Sequence, residues 1–339
     1  MNIKKVASEA GVSITTVSRV MNTPEKVSES TRNKVLSVMK GLNYTPNYFA
    51  RNIQTGRTNV IGLLIPDTLE QSYMELAKGV EKVAQQKQCS IIISNTDYDN
   101  TTEWNNIQTL TNRRIDGLIL VSSALSINEM KRLHEKNVSF VLTDRTDLDG
   151  IENVVSTNYR DATREAVEHF IGMRRRNIAM IISQKALFVG NAKVAGYKEA
   201  LQKHGMTFDP SMIIKSEDTI QGGLMACQQL LERKKRPDAI FCATDTMAFG
   251  AIERVRQLGL TVNDVGIIGY DDLKVGSVIE PKLTTVVKPA YRMGLTAARV
   301  LFDMIDDEEL ADEPQSIVLQ SRLKIRKSCG NKNRVKEIW

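Results

Sequence analysis

The sequence is poor in the residues that build disulfide frameworks and zinc sites, and it has no long apolar run. Its 339 residues include four cysteines and three histidines, all widely spaced and with no C-x-x-C pair. Reduced thiols are therefore expected, and neither a disulfide nor a metal site is predicted. No run of about 18 apolar residues occurs, so no membrane-spanning helix is expected. The N-terminal residues lack the apolar core of a signal peptide, which favours a cytoplasmic protein.

Recognisable catalytic motifs are also missing. There is no Ser/His/Asp or Cys/His signature and no glycine-rich phosphate loop, and the pair Gly222-Gly223 alone is too weak to indicate one. We therefore predict no catalytic residue and no cofactor, and we expect that the protein is not an enzyme. A ligand-binding transport protein remains an alternative, which the missing signal peptide disfavours.

Basic charge, by contrast, is concentrated at the two ends. Residues 1–58 hold nine basic and three acidic side chains, and residues 322–339 hold seven basic and one acidic. The middle of the chain is acidic, with 30 basic and 36 acidic side chains. A basic N-terminal segment on an acidic body is expected when only that segment meets a polyanion. The basic C-terminal tail is either a solvated end or a second nucleic-acid contact.

From Val60 onward, short β-rich apolar runs alternate with amphipathic stretches. The predicted strands are residues 60–65, 90–94, 117–121, 139–142, 178–182, 239–242 and 265–268. The predicted helices are residues 73–86, 104–113, 160–171, 192–204, 222–233 and 246–258. Strands that alternate with helices indicate βαβ units with parallel sheets, and the length of this region fits two sheets better than one.

Aspartates follow several of the predicted strands: Asp67, Asp144, Asp245, Asp271 and Asp272. Ligands of open α/β sheets bind beyond the carboxyl ends of the strands, so these side chains are expected to converge on a crevice. Aspartate is also a favoured helix N-cap, and both roles stay open for each of them.

Residues 3–22 carry the spacing of a helix-turn-helix. Ala7 is small where the two helices cross, and Gly11 tolerates the positive φ of the turn. Ser13 is a good N-cap for a second helix over residues 14–21, and Ser28 is a good cap for a third. Apolar residues at helical spacing complete the predicted core: Val6, Ala10, Val12, Val17, Val20, Val35, Val38, Met39 and Leu42.

A helix-turn-helix inserts its second helix into the DNA major groove, N-terminus first. Ile14 and Thr15 are therefore predicted to face base edges, and Arg19 to reach guanine O6 and N7. A plain phosphate contact is the alternative role for Arg19. The remaining polar residues predicted to contact phosphate are Thr16, Ser18, Asn22 and Thr31.

Longer motifs extend along most of the chain. They are residues 12–22 (VSITTVSRVMN), 43–47 (NYTPN), 57–62 (RTNVIG), 114–119 (RIDGLI), 241–251 (FCATDTMAFGA), 268–272 (IGYDD) and 283–286 (LTTV). With these motifs the sequence resembles the lactose/galactose-repressor (LacI/GalR) family of bacterial transcription regulators.

The resemblance implies an all-α helix-turn-helix headpiece and an α/β two-lobed domain like that of periplasmic binding proteins, with two parallel sheets flanked by helices. The implied boundaries are 1–45 for the headpiece, 46–58 for a hinge helix and linker, and 59–339 for the two-lobed domain. The first lobe would comprise residues 59–158 and 289–315, and the second residues 160–287 and 317–330.

The hinge is predicted to fold on DNA. Thr45-Pro46 reads as an N-cap with proline at N1 and Gly56 as a stop, and so short a helix is marginal by itself. In the family, two such helices enter the minor groove of the operator and wedge an apolar side chain between base pairs. The matching residue here is Ile53, with Ala50 one turn earlier. A tether that packs Ile53 on the neighbouring subunit is the alternative.

The resemblance further implies a small-molecule effector between the lobes, a sugar or a sugar derivative. Asp271 and Thr244 match ligand-contacting positions, and Lys193 stands where relatives usually have arginine. Tyr73 is the aromatic residue that would stack on a ligand, and Asp144 ends a strand at the edge of the same predicted crevice. For each of these residues a cap or an interlobe salt bridge is the alternative role.

The partners follow from the same resemblance. A homodimer would bind an operator arranged as an inverted repeat of double-stranded DNA, and effector binding would change operator affinity allosterically. The C-terminal tail offers no apolar heptads for a tetramer. In the alternative, a phosphorylated phosphocarrier protein is the main effector, as in catabolite-control members of the family.

Overall fold

The computed structural model describes residues 2–44, 57–145, 147, 152–185, 187–307 and 314–330. Its contacts divide the chain into two units, Met1–Thr58 and Asn59–Trp339. No helix among the described residues is both long and apolar enough to cross a membrane. Ala50 and Ile53, predicted to contact the minor groove, lie outside the described residues.

Among the described residues of the first unit there are three α-helices: α1 (Ile3–Ala10), α2 (Ile14–Asn22) and α3 (Glu29–Gly41). The predicted caps are confirmed, because the Ser13 and Ser28 hydroxyls accept hydrogen bonds from backbone N–H groups in the first turns of α2 and α3. Gly11 ends α1 with φ of 62°, a left-handed conformation that glycine adopts without a steric penalty.

An apolar core joins the three helices. Its buried members are Val6, Ala7, Ala10, Val17, Val20 and Val35, and the residues packed around them include Val12, Val38, Met39 and Leu42. These are the predicted positions, so the helix-turn-helix reading is confirmed at the level of packing. Because Val17 and Val20 face this core, the opposite side of α2 is left exposed.

In the part of the second unit that the structure describes, twelve strands form two sheets. They are β1 (Val60–Ile65), β2 (Ser90–Asn95), β3 (Gly117–Val121), β4 (Phe140–Thr143), β5 (Val154–Thr157), β6 (Ile178–Ser183), β7 (Ile213–Ser216), β8 (Ala239–Cys242), β9 (Gly266–Tyr270), β10 (Thr284–Val287), β11 (Ser316–Leu319) and β12 (Arg322–Lys324). The sheets have the orders β11-β5-β4-β3-β1-β2 and β12-β10-β9-β8-β6-β7. All pairs are parallel except β10 with β12. The predicted architecture of two parallel sheets is confirmed.

Helices cover both sheets. They are α4 (Gln71–Gln86), α5 (Asn100–Asn112), α6 (Ile127–Glu135), α7 (Tyr159–Gly172), α8 (Leu187–Lys203), α9 (Ile220–Leu231), α10 (Asp245–Gln257) and α11 (Ala290–Asp306). Strands such as β3 and β6 are buried at every residue, as expected for parallel strands covered on both faces.

The chain passes between the lobes three times, and the predicted position of the third crossing was wrong. Residues 316–319 form β11, which pairs with β5 of the first lobe, so that lobe extends to Leu319 and the second resumes at Arg322. The error has a physical cause: long-range register selects the partner of a short strand, and the strand's own residues do not reveal it.

Candidate DNA-reading helix and interlobe cavity

The exposed side of α2 carries the three residues predicted to read bases. Ile14, Thr15 and Arg19 are all exposed, and Ile14 leaves 44% of its surface in solvent although it is a large apolar side chain. Exposure of this apolar side chain to water is unfavourable, and burial of it against a partner surface would be favourable. The structure therefore presents one apolar and two polar side chains outward from a helix that its other face holds in place.

Two of the four predicted phosphate-contacting residues, Thr16 and Thr31, lie in the first turns of α2 and α3. Thr16 Oγ1 lies 2.9 Å from Ser13 Oγ, and Thr31 Oγ1 accepts a hydrogen bond of 2.9 Å from Ser28 Oγ. The N-terminal turn of a helix directs backbone N–H groups outward and favours anions. Ser18 lies half-buried in the middle of α2, and Asn22 is its last residue.

The five residues predicted to bind ligand come together in the second unit. Tyr73, Asp144, Lys193, Thr244 and Asp271 all line one cavity between the lobes, with a volume of about 40 Å³. Other residues that line it are Glu70, Ser72, Tyr98, Ser122, Tyr159, Ser183, Asp218 and Lys288. The volume is sufficient for a few water molecules.

Three of these side chains reach the cavity because they follow the ends of strands. Asp144 follows β4, Thr244 follows β8 and Asp271 follows β9, so all three lie at carboxyl edges of parallel sheets. Asp271 adopts φ of 119°, a conformation that is strained for any residue except glycine. Tyr73 and Lys193 enter the cavity from helices α4 and α8.

A buried ion pair connects the second crossing of the chain between the lobes, where Lys288 lies, with the first lobe. Lys288 Nζ lies 2.8 Å from Asp144 Oδ2, and Tyr159 donates its hydroxyl proton to the other Asp144 oxygen. Burial alone would lower the pKa of Lys288, but the Asp144 carboxylate holds that pKa above its usual value. Lys288 is therefore a fixed ammonium in this cavity.

Lys193 is held differently. Its Nζ donates a hydrogen bond of 2.6 Å to the Ala243 carbonyl and lies 3.7 Å from the centroid of the Tyr270 ring. Burial lowers its pKa to about 8, although nearby carboxylates including Asp271 oppose this effect. The Lys193 ammonium is thus held by a backbone carbonyl and an aromatic ring. Among the described residues, no carboxylate lies within ion-pairing distance of it.

Three further carboxyl groups face the cavity with raised pKa values. The pKa of Glu70 rises to about 8 because of burial and repulsion from Asp218 and Asp271. Burial also raises the pKa of Asp271 to about 8, against the attraction of Lys193 and Lys288. Burial raises the pKa of Asp218 as well. Glu70 belongs to the first lobe and the two aspartates to the second, so ionisation of one group opposes ionisation of the others across the cavity.

Comparison with known proteins assigns both units. Residues 2–47 match the family described as bacterial regulatory proteins, lacI family, and residues 58–327 match periplasmic binding proteins and sugar binding domain of LacI family. The chain belongs to the LacI family. It is therefore a DNA-binding transcription regulator with a periplasmic-binding-protein-like domain.

Individual relatives cover almost all of this LacI-family chain. Catabolite control protein A of Priestia megaterium is 34% identical over 330 residues, which is 97% of this chain and 99% of the relative. The ribose operon repressor of Haemophilus influenzae is 31% identical over 332 residues, 96% of this chain and 98% of the relative. A lac repressor dimer solved with operator and the anti-inducer ONPF superimposes with a TM-score of 0.88 at 26% identity, covering 97% and 99% of the two chains.

Not every strand-end aspartate of this LacI-family regulator lines the cavity. Asp245 accepts hydrogen bonds from Thr285 Oγ1 (2.6 Å) and the Leu273 N–H (2.7 Å), and Asp272 pairs with Arg326 at 2.5 Å. Of the five, Asp144 and Asp271 line the cavity, so the expectation that all five converge was wrong for Asp67, Asp245 and Asp272. A buried aspartate can meet its hydrogen-bonding needs within the loops of its own lobe.

The residues that line the cavity but were not predicted include Glu70, Tyr98, Asp218 and Lys288. Two of them were accessible to the strand-end rule, because Asp218 follows β7 and Lys288 follows β10. Neither strand was predicted, so its end could not be searched. Glu70 and Tyr98 lie in loops of the first lobe, and no local motif marks them.

Proposed function

We propose that this LacI-family regulator is a repressor that reads a specific operator with α2, and that a small molecule in the interlobe cavity sets its operator affinity. It would act in the cytoplasm, at the nucleoid. The observation that carries the proposal is the outward row of Ile14, Thr15 and Arg19 on a helix fixed by its buried face. The effector would be a sugar or a sugar derivative.

The predicted residues of α2, α3 and the hinge would make different contacts with DNA. Ile14 suits a thymine methyl group and Arg19 suits the O6 and N7 of guanine, while Thr15 contacts a neighbouring base edge. Phosphate contacts from Thr16, Ser18, Asn22 and Thr31 would fix the register. Ala50 and Ile53 would enter the minor groove from a hinge helix ordered by operator DNA. Two chains would bind an inverted repeat, because a two-fold dimer imposes its symmetry on the site.

Effector control would act through the spacing of the lobes. A cavity of about 40 Å³ is much smaller than a sugar site, so the lobes must separate to admit a ligand. A ligand contacted by Tyr73 and Asp144 from one lobe and by Lys193, Thr244 and Asp271 from the other favours one lobe arrangement. Operator affinity then changes by the difference in ligand affinity, typically about 1–3 kcal/mol.

The test is a thermal-shift screen of sugars, sugar acids, phosphosugars and nucleobases, followed by operator titrations with each hit. A compound that raises the melting temperature should change operator affinity about 5–150-fold in either direction. A Thr244→Ala variant, which leaves the DNA-reading helix unchanged, should bind operator normally but respond less to the hit. Hits that leave operator affinity unchanged would refute effector control.

One observation favours a second candidate. The 34% identity with catabolite control protein A extends over 97% of the chain, so the main effector could instead be a phosphorylated phosphocarrier protein. Operator titration with phosphorylated carrier, and with unphosphorylated carrier as the control, separates the two. Tightened binding with the phosphorylated form alone supports this candidate, and equal curves exclude it.

A further inference from the structure

The interlobe cavity has more acidic than basic side chains. Six ionisable groups other than tyrosine line it: Glu70, Asp144, Asp218, Asp271, Lys193 and Lys288. The ion pair of 2.8 Å between Lys288 and Asp144 removes one acid and one base from this balance. Three carboxyl groups and one ammonium remain.

The remaining ammonium does not neutralise those carboxyl groups at contact distance. Lys193 is 5% exposed, and its Nζ is occupied by the Ala243 carbonyl at 2.6 Å and the Tyr270 ring. Within the described part of the chain, no carboxylate lies within 4.0 Å of it. Its attraction for Asp271 and Asp218 acts over a longer distance and does not outweigh their burial.

The three carboxyl groups have few donors of their own. Glu70 accepts a hydrogen bond of 3.1 Å from Ser72, and Asp218 accepts one of 2.6 Å from Thr244. The Asp271 carboxyl group accepts none from any other described residue, although its backbone is held in a strained conformation at the cavity. With few donors and no ammonium in contact, these carboxyl groups hold their protons more strongly than usual, and a ligand that brings donors and positive charge would favour their ionised forms.

We propose that the effector is an organic cation whose protonated amine is held between Glu70, Asp218 and Asp271, with hydroxyl groups on the rest of the molecule. This inference rests on the proposed function, in which the same cavity binds the effector. An ammonium supplies both the N–H donors and the charge that the three carboxyl groups lack. Tyr73 and Tyr98 line the same cavity.

Other ligand classes fit less well. A phosphosugar or sugar acid would bring a negative charge that opposes ionisation of the three carboxyl groups, and it would meet Lys288 already paired with Asp144. The three carboxyl groups come from two lobes, and no three acidic, His or Cys side chains among the described residues are grouped to hold a metal ion. A larger cation with separated donors matches this arrangement better.

The experiment compares ligands that differ mainly in charge. The full chain is titrated by calorimetry and thermal shift with D-glucosamine, D-galactosamine and spermidine, with their neutral counterparts D-glucose and D-galactose, and with D-gluconate and glucose 6-phosphate, at matched ionic strength near pH 7. At least one amine should stabilise the chain and bind about tenfold or more tightly than its neutral counterpart.

Two variants test whether the carboxyl groups of Glu70 and Asp271 bind the amine. Glu70→Gln and Asp271→Asn keep the shape of the side chains, and each should weaken amine binding about tenfold or more. Glu253→Gln is the matched control, because Glu253 pairs with Arg256 on the surface of α10 and should leave amine affinity unchanged. Circular dichroism checks that all three variants fold.

The proposal and the proposed function fail in different ways. If no amine stabilises the chain, or if both cavity variants bind amines normally, the cation proposal is overturned. A neutral or anionic compound that still changes operator affinity would leave effector control intact. Amine binding that has no effect on operator affinity would instead contradict the proposed function.

Discussion

Asp271 ends β9 with φ of 119°, where a Cβ atom is strained. Glycine adopts such a conformation freely, so Asp271→Gly should relieve strain and remove a carboxyl group that lines the cavity. We expect the variant to be as stable as the parent or more stable by about 1 kcal/mol, but to lose its response to effector. Urea unfolding measures the first effect and operator titration with effector the second. A loss of stability above about 1 kcal/mol would contradict the strain argument.

Glu70 should make stability depend on pH. Its pKa of about 8 lies above the ordinary 4.5, so the folded chain keeps a proton that the unfolded chain releases. The free energy of unfolding should therefore fall as pH rises between about 5 and 8. Asp271 acts in the same direction, whereas Lys193, with its lowered pKa of about 8, contributes only above this range.

Glu70→Gln should reduce this slope, because glutamine does not titrate. The measurement is urea unfolding at a series of pH values for the parent, for this variant and for Glu253→Gln, whose carboxyl group pairs with Arg256 at the surface. The surface variant should follow the parent over this range. Parallel curves for all three proteins would mean that Glu70 does not control the pH dependence.

Two variants of Arg19 show whether its side chain reads a base or contacts a phosphate. If its guanidinium bridges guanine O6 and N7, Arg19→Ala should cost about 1–3 kcal/mol of operator binding and relax preference at one base pair. Arg19→Lys keeps the charge without the fork and should restore phosphate affinity but not that preference. Fluorescence anisotropy titrations with operators substituted at single positions measure the base preference of each variant. A uniform loss on every duplex would reassign Arg19 to phosphate.

Among the elements, α4 and α11 pack with their backbones in close contact. A Cβ built on Gly294 would lie 2.0 Å from the Leu76 carbonyl oxygen, and one on Gly79 would lie 2.1 Å from the Tyr291 carbonyl oxygen. Neither carbonyl can move without disturbing its helix. The glycines therefore set the distance between the helix that carries Tyr73 and the helix that follows Lys288.

Gly294→Ala should destabilise the second unit by about 1–3 kcal/mol or more, because the two helices must separate. Gly172→Ala is the control: Gly172 lies in α7, where a Cβ meets no heavy atom within 4 Å. That change should be neutral or stabilising by up to about 1 kcal/mol. Denaturant unfolding of both variants measures the difference, and equal effects would contradict the close-packing account.

The elements that sequence reasoning found were those with strong local patterns. The buried runs β1, β3 and β8 were predicted at their observed bounds. The half-buried edge strand β7 contains Lys215 and has no continuous apolar run, so its pattern does not stand out. The first turn of α8 was also missed, since its start depends on contacts such as that between Phe188 and Arg145 of the other lobe.

The site was predictable where the family motif or a strand end marked it. Asp144, Thr244 and Asp271 follow strands, and the structure brings them into one cavity with Tyr73 and Lys193. The excess of acidic groups was not predictable, because Glu70 and Asp218 meet only when the two lobes come together. Tertiary placement, rather than local spacing, determines the charge of the cavity.

For the whole molecule, the two units divide the task between DNA and effector. The first unit fixes α2 through an apolar core and exposes its reading side, and the second places a charged cavity between two parallel sheets. The basic charge of residues 1–58 and the acidic middle of the chain suit this division. Because the effector cavity and the reading helix lie in separate units, effector variants should leave intrinsic base preference unchanged.

The most direct test of the central claim is a selection of random-sequence duplexes by the full chain, read by sequencing. The account predicts that an inverted repeat is enriched and that Arg19→Ala loses preference at one position in each half-site. The selected duplex should bind at least about a thousandfold more tightly than a scrambled one. Equal binding of all duplexes, at every salt concentration and with or without each effector candidate, would contradict the account.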